Sequence, residues 1–366
     1  MAAMAPIPIM RPKLPSAERL APYLRKIDAS RIYSNFGPLA VSFEERIAAR
    51  FGLSGETVTT IVNATLGLTL ALTAQGARSG TLCAIPAWTF VASAHAATMA
   101  GLIPYFVDVD ADTWAVDPEG IAASIAGAPA EVGAVMPVVP FGRPIDVAAW
   151  DRFRSRTGLP VVIDAAAGFD AITPSAVPAV VSLHATKVLG AGEGGFVMST
   201  DAAIIREIRA RSNFGFFGSR DASAPASNAK LSEYQAAVGL AALDEWSEVR
   251  REWIVLAQTY RAALSESNHV SFQDNFGESW ITSTCVLNLS DTAARTETAL
   301  QHAGIETRRW WGHGAHAHRA TAALPRAALP ATETLAQSTL AVPFYRDLAA
   351  AQIARIADVV LAATRD

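Results

Sequence analysis

The stretch Thr81-Leu-Cys-Ala-Ile-Pro86-Ala-Trp-Thr-Phe90-Val-Ala-Ser-Ala-His95-Ala-Ala-Thr-Met-Ala-Gly101-Leu-Ile-Pro104-Tyr-Phe-Val107 decides the fold. It is apolar enough to be mistaken for a membrane span, which needs roughly 20 such residues. Pro86, His95, Gly101 and Pro104 break it into a short strand, an Ala-rich helix and a second strand, the pattern of a buried βαβ unit. Outward from it, further short apolar runs alternate with helix-like segments: Thr57–Val62 upstream, and Gly133–Val139, Pro160–Ile163 and Ala179–Leu183 downstream. That alternation predicts an α/β fold, a mostly parallel central sheet covered by helices on both faces.

Beyond Lys187 the sequence predicts a strand over Gly194–Thr200 and a helix over Asp201–Arg211. A Gly/Ser/Asn-biased loop over Gly215–Asn228 follows, then a helix over Leu231–Trp246 with Leu231, Tyr234, Val238 and Leu243 near one face. From Trp246 the texture changes to a long helix reaching Leu264, one strand over Ser283–Leu289 and a terminal helix. The 366 residues, at about 150 per domain, therefore divide into a large domain over 1–245 and a smaller α+β domain over 246–366. The large domain includes an N-terminal arm over 1–35. Its opening, MAAMAPIPIMRPKLP, has prolines too closely spaced for a signal-peptide core and reads as flexible.

Composition narrows the function classes. Lys+Arg 30 and Asp+Glu 34 leave a net charge of −4, without the cationic surplus that a nucleic-acid backbone demands. Charged residues make up 17% and hydrophobic residues 51%, which excludes a disordered chain. Two cysteines, Cys83 and Cys285, cannot build a disulfide framework or an iron–sulfur site, so a reducing compartment, the cytoplasm, is expected.

Ligands of open α/β sheets sit outside the carboxyl ends of the strands, and three strand ends carry chemistry. Asn63-Ala64-Thr65 opens a helix, where free N–H groups and the Thr65 hydroxyl form an anion seat, although Thr there also serves as a plain N-cap. Asp164 ends Pro160-Val-Val-Ile-Asp164 and meets Ala165-Ala-Ala-Gly168. A carboxylate so placed needs a partner, either a helix N-terminus or a protonated ring nitrogen of a cofactor. The third is Ser182-Leu-His184-Ala-Thr186-Lys187-Val-Leu-Gly190-Ala-Gly192-Glu193-Gly194-Gly195. Apolar, close-packed surroundings lower a lysine pKa toward nucleophilicity, so Lys187 can form a Schiff base; the bland alternative is a solvated Lys in a Gly-rich loop. The glycines follow the Lys, which excludes a Walker loop, and their spacing does not match a dinucleotide-binding fingerprint.

At these positions the sequence resembles the DegT/StrS family of pyridoxal 5′-phosphate (PLP) sugar aminotransferases. The resemblance runs through Asn35-Phe-Gly-Pro38 with Phe43-Glu44, Asn63-Ala-Thr65, Pro86-Ala-Trp-Thr-Phe90, Phe106-Val-Asp108, Asp164-Ala-Ala166, Ser182 to Gly195, and Asn228-x-Lys-Leu-Ser-Glu233 with Gln235-Ala-Ala237. It implies the type I PLP-transferase fold and a homodimer with shared active sites. It implies Lys187 as the Schiff-base and proton-shuttling lysine and Asp164 as partner of the pyridinium nitrogen. Phe90 would stack on the ring; Ala64, Thr65 and Ser182 would hold the phosphate; Asn228 would reach the neighbouring subunit's phosphate. The resemblance also implies transfer of an amino group from an amino acid, L-glutamate, to a nucleotide-linked 4-keto-6-deoxy sugar. The alternatives within reach are a PLP-dependent sugar dehydratase, opposed by Lys187 and the cysteine count, and a non-catalytic ligand-binding homodimer, opposed by retention of Lys187 and Asp164.

Two departures stand out: Ala167 where relatives carry Gln, and Ala64 where they carry Gly, for which a small backbone adjustment is expected. Arg308-Arg309-Trp310-Trp311-Gly312-His313 falls where relatives contact substrate, so Arg308, Arg309 and Trp310 are candidate substrate residues together with His184. A surface Arg pair over two core tryptophans is the other reading. His313, His316 and His318 have no accompanying carboxylate, and no metal site is expected.

Overall fold

The computed structural model describes residues 6–365. Its strands are β1 (Val58–Ile61), β2 (Leu82–Pro86), β3 (Ile103–Val107), β4 (Val132–Val135), β5 (Ile163–Asp164), β6 (Ala179–Ser182), β7 (Gly195–Met198), β8 (Cys285–Asn288) and β9 (Thr339–Val342). Two ladders, β3-β2-β4 and β5-β6-β7-β1, are joined by parallel bridges Val135 to Val161 and Val138 to Asp164. The result is one central sheet in the order 3-2-4-5-6-7-1, parallel except for β7, which runs against both β6 and β1. β4 and β5 are shorter than their apolar runs because Pro137 and Pro160 have no N–H to give to a ladder.

Both faces of the sheet are buried, and the strands show it residue by residue. Leu82 and Ala84 join one core, Cys83 and Ile85 the other; Phe196 and Met198 face the first, Val197 the second. The helices are α1 (Ala17–Ser30), α2 (Pro38–Arg50), α3 (Ala64–Ala74), α4 (Ala92–Met99), α5 (Pro118–Ala126), α6 (Val147–Thr157), α7 (Ala202–Arg211), α8 (Glu233–Asp244), α9 (Trp246–Ala263), α10 (Ala293–His302), α11 (Pro330–Ser338) and α12 (Ala350–Thr364). α3, α4 and α7 cover one face with Leu68, Ala94 and Ile208; α2, α6 and α8 cover the other with Phe43, Phe153 and Leu240. No helix among the described residues is long and apolar enough to cross a membrane.

Two expectations need correction. The helix expected from Leu231 begins at Glu233, because Ser232 closes a capping box with Gln235. Its core face is made of Ala236, Ala237, Gly239 and Leu240, while Tyr234 is exposed and stacks on Tyr33. The N-terminal stretch, expected to be a free arm, is held in place from residue 6 onward; residues 1–5 lie outside the described part. Ile7 is buried and exchanges backbone hydrogen bonds with Gly304 and Glu306, Ile9 N–H donates to the Glu306 carboxylate at 2.9 Å, and Phe344 N–H donates to Ile9 O. α1 occupies most of the remainder of 1–35.

Glu233, 1% exposed, accepts from the N–H groups of Leu39 and Ala40 at 2.8 Å each, and so supplies the cap that Gly37 cannot give to α2. A buried carboxylate on two helix-terminal donors meets both the orphan-donor and the dipole requirement of that terminus. Glu233→Ala strands both donors and is expected to cost about 2–4 kcal/mol, read as a lower urea midpoint at unchanged slope.

Candidate active site

The sheet register assembles the site. Ile61, Gly195 and Ser182 lie side by side at one level across β1, β7 and β6, and Asp164 pairs with Val180 two residues before Ser182. α3 starts at the end of β1, so its N-terminus stands next to Gly195 and Ser182. A Cβ on Gly195 would come within 3.0 Å of Ala64 N and 2.9 Å of Val181 O, so the cradle stays open only because residue 195 has no side chain. Asn63, not Thr65, caps α3 by accepting from Leu66 N–H at 2.9 Å. Among the described residues the Thr65 hydroxyl is therefore uncommitted, and the N–H groups of Ala64 and Thr65 head an anion seat with Ser182 beside it. Ala64 sits there with ordinary helical geometry, so its Cβ asks for no left-handed backbone.

Asp164 is 6% exposed and bound on both oxygens: Ser93 Oγ donates to Oδ2 at 2.7 Å, and Ala166 N–H donates to Oδ1 at 3.1 Å. Thr89 Oγ1 lies 2.9 Å from Ser93 Oγ and, because the Ser93 proton is given to Asp164, Thr89 is the donor in that pair. Burial raises the Asp164 pKa above the ordinary carboxylate range, against the opposing effects of the two hydrogen bonds and of Lys187. The Lys187 pKa is lowered, chiefly by loss of water and partly restored by the Asp164 charge. Among the described residues the Lys187 amine has no hydrogen-bond partner. The loop that carries it is fixed by Lys187 N–H to His184 O, Ala185 N–H to Gly192 O and Ala191 N–H to Leu183 O.

Phe90 follows β2 and is 58% exposed, which disposes of ordinary core packing for its ring. Asn228 is exposed in the bridge it makes with Asn213. His184 is half-buried, with Nδ1 2.8 Å from the Thr186 hydroxyl and Nε2 3.7 Å from Glu193, so it is bound into the Lys187 loop itself. Arg308 is exposed and lies over Trp310 at 4.5 Å, while Trp311 stacks on Phe141 at 3.8 Å and meets Trp88 edge-on. Arg309 is the correction in this group. Its guanidinium is paired with Glu297 at 2.8 Å and donates to the carbonyls of Ala336 and Gln337, so it stitches α10 to α11 and is not free to clamp a diphosphate.

The Ala167 carbonyl lies 2.8 Å from where a Gly142 Cβ would stand. No group of three or more His, Cys, Asp or Glu among the described residues is placed to hold a metal. Both cysteines are buried, the Cys83 thiol pushed up to about 12, so neither is a nucleophile. Sequence reasoning missed Ser93. A hydroxyl at the second position of a helix in an Ala-rich buried segment demands a partner, and that demand was the available signal.

The sequence pattern of the DegT/DnrJ/EryC1/StrS aminotransferase family matches residues 16–361. A dTDP-4-amino-4,6-dideoxy-D-glucose transaminase of Shigella dysenteriae is 31% identical over 272 residues, 73% of this chain and 72% of that one. The crystal structure of DesI in the presence of its TDP-sugar product is similar with a TM-score of 0.89 and 32% identity, covering 100% of this chain and 95% of that one. A Bacillus cereus protein assigned as a PLP-dependent aminotransferase is similar with a TM-score of 0.90 and 28% identity, covering 97% and 99%.

Proposed function

The chain belongs to the DegT/DnrJ/EryC1/StrS aminotransferase family, and from that premise we propose that it moves an amino group from L-glutamate to the ketone of a nucleotide-linked 4-keto-6-deoxy sugar, using PLP. The observation that carries this reading is the buried Asp164 carboxylate beside a desolvated Lys187 amine that has no hydrogen-bond partner among the described residues. The residues present fit the cofactor. Asp164 bears an unfavourable burial that a protonated ring nitrogen relieves, Phe90 leaves a ring face uncovered, and the α3 terminus with Gly195 leaves an anion seat open.

When bound, PLP supplies an electron sink and a carbonyl that carries the amine. The protein's part is positional and protonic. Asp164, oriented by Ser93 and Ala166, holds the ring nitrogen protonated. Lys187 Nζ, lowered toward neutrality by loss of water, attaches the cofactor and moves the proton at the reacting carbon. Ala64 N–H, Thr65 and Ser182 bind the phosphate, and Phe90 fixes the ring plane. Arg308 and Trp310 form the substrate's outer contact, with His184 acting through the Lys187 loop.

Asn228 belongs to the neighbouring subunit's site in this reading. Its support is the exposure of Asn228 together with exposed Ile32, Tyr33, Phe214, Phe217 and Tyr234, apolar area suited to a second copy of the chain. We place the division between a large cofactor-binding unit and a small unit between α8 and α9, at about residue 246. The cytoplasm is the proposed place of action.

The test is the visible absorption of cofactor-loaded protein. L-glutamate is expected to remove it, and one of a panel of nucleotide-linked 4-keto-6-deoxy sugars to restore it. Removal without restoration by any sugar overturns the acceptor; no absorption after PLP loading overturns the reading altogether.

A further inference from the structure

Lys187 does not share its cleft only with the sheet. Met10, Arg11, Pro12 and Lys13 of the N-terminal segment form one wall, and Tyr345 and Arg346 another. Three cations therefore surround the Lys187 cleft, and two of them are already neutralised. Lys13 is paired with Asp347 at 3.0 Å, and Arg346 with Glu252. Arg11 is different. Among the described residues its guanidinium has neither hydrogen bond nor ion pair, and its charge is felt at Tyr345. It is not carried on a loose end, because the backbone at Ile7 and Ile9 is fixed to Gly304, Glu306 and Phe344 only two residues before it.

We propose that Arg11 is the residue by which this site recognises a substrate oxyanion, delivered to the Lys187 cleft by an N-terminal strap anchored on the small unit. An unpaired guanidinium offers five N–H donors in a planar fork that matches carboxylate and phosphate oxygens two at a time. Both proposed substrates carry such a group: the amino donor a carboxylate, the sugar nucleotide a diphosphate. The inference rests on the aminotransferase reading above, which brings both to Lys187. A fixed backbone leaves only the exposed Arg11 side chain to be ordered at binding.

The test compares wild-type, Arg11→Gln and Arg11→Lys proteins loaded with PLP. The glutamate half-reaction and the keto-sugar half-reaction are followed separately, and binding of glutarate and of a nucleoside diphosphate is measured by calorimetry. Arg11→Gln is expected to weaken one of the two anions about tenfold or more in KM and in the corresponding calorimetric affinity, with kcat within about threefold. Arg11→Lys, which keeps the charge but loses the fork, is expected to recover part of it. Loss confined to glutamate and glutarate assigns the carboxylate; loss confined to the sugar nucleotide and nucleoside diphosphate assigns the diphosphate. If both affinities stay within about twofold, or if kcat alone falls, Arg11 has no recognition role and the proposal is overturned. Should wild-type protein bind both anions yet transfer no amine, the aminotransferase reading fails while the binding arms still decide Arg11.

Discussion

Lys187→Ala is expected to lower transamination by about 10³-fold or more, because the variant loses both the amine that attaches the cofactor and the base that moves its proton. The surrounding loop should survive the change. Its backbone bonds run between His184, Ala185, Leu183 and Gly192, and none uses the Lys187 side chain. PLP should therefore still bind, through the α3 terminus and Asp164, but borohydride should no longer fix it to the chain. Lys187→Arg, which keeps the charge and removes the nucleophile, should be as inactive as the Ala variant. Wild-type turnover in either variant would end the assignment of Lys187.

Asp164→Asn is the second large effect, with a loss of about 10²–10³-fold in kcat expected at little change in bound cofactor. Asn keeps the shape and its oxygen can still accept from Ser93, so what disappears is the negative charge at the ring nitrogen together with the acceptor for Ala166 N–H. The same substitution has a signature without cofactor. Burial holds the folded Asp164 pKa above its unfolded value, so folded protein binds the proton more readily and this group's contribution to stability is lost as pH rises through the folded pKa. From about pH 4 upward the cofactor-free wild type should therefore lose stability relative to Asp164→Asn. Parallel urea midpoints for the two proteins across that range would refute the burial argument.

The strands and their order of polarity were legible because a sheet buried on both faces writes itself as apolar runs, and the runs at 82–85, 103–107 and 179–183 say so directly. Lys187, Asp164, Thr65 and Phe90 stood out as candidates because each lies at the end of such a run or within five residues beyond it. The α8 face was not, since the packing there is carried by small residues: a Cβ on Gly239 would lie 2.5 Å from the Phe43 ring, and a search for Leu and Tyr at helical spacing passes over such a surface. The strap had a readable sign that went unused, the alternation Pro6-Ile7-Pro8-Ile9, with Ile7 and Ile9 buried. Arg309 shows the limit from the other side. Sequence displays its charge but not Glu297, which neutralises it.

Several residues quoted for the family resemblance serve architecture. Glu233 caps α2, Glu44 receives Thr60 and pairs with Arg209, and Asp108 receives the N–H groups of Ala331 and Thr332 at the head of α11. A motif of this kind thus marks a way of holding helices as much as a way of holding a cofactor.

The antiparallel β7 also sets the order in which the molecule can come into being. It fills the gap between β6 and β1, pairing Val58–Ile61 with Gly195–Met198 across most of the large unit. Until that late strand emerges from the ribosome, β1 has no ladder partner and β6 presents an open edge to whatever strand it meets. The α3 terminus and the Lys187 loop flank that strand, so their present arrangement waits on its insertion. Closing the sheet is thus a single late insertion, made across most of the large unit's sequence.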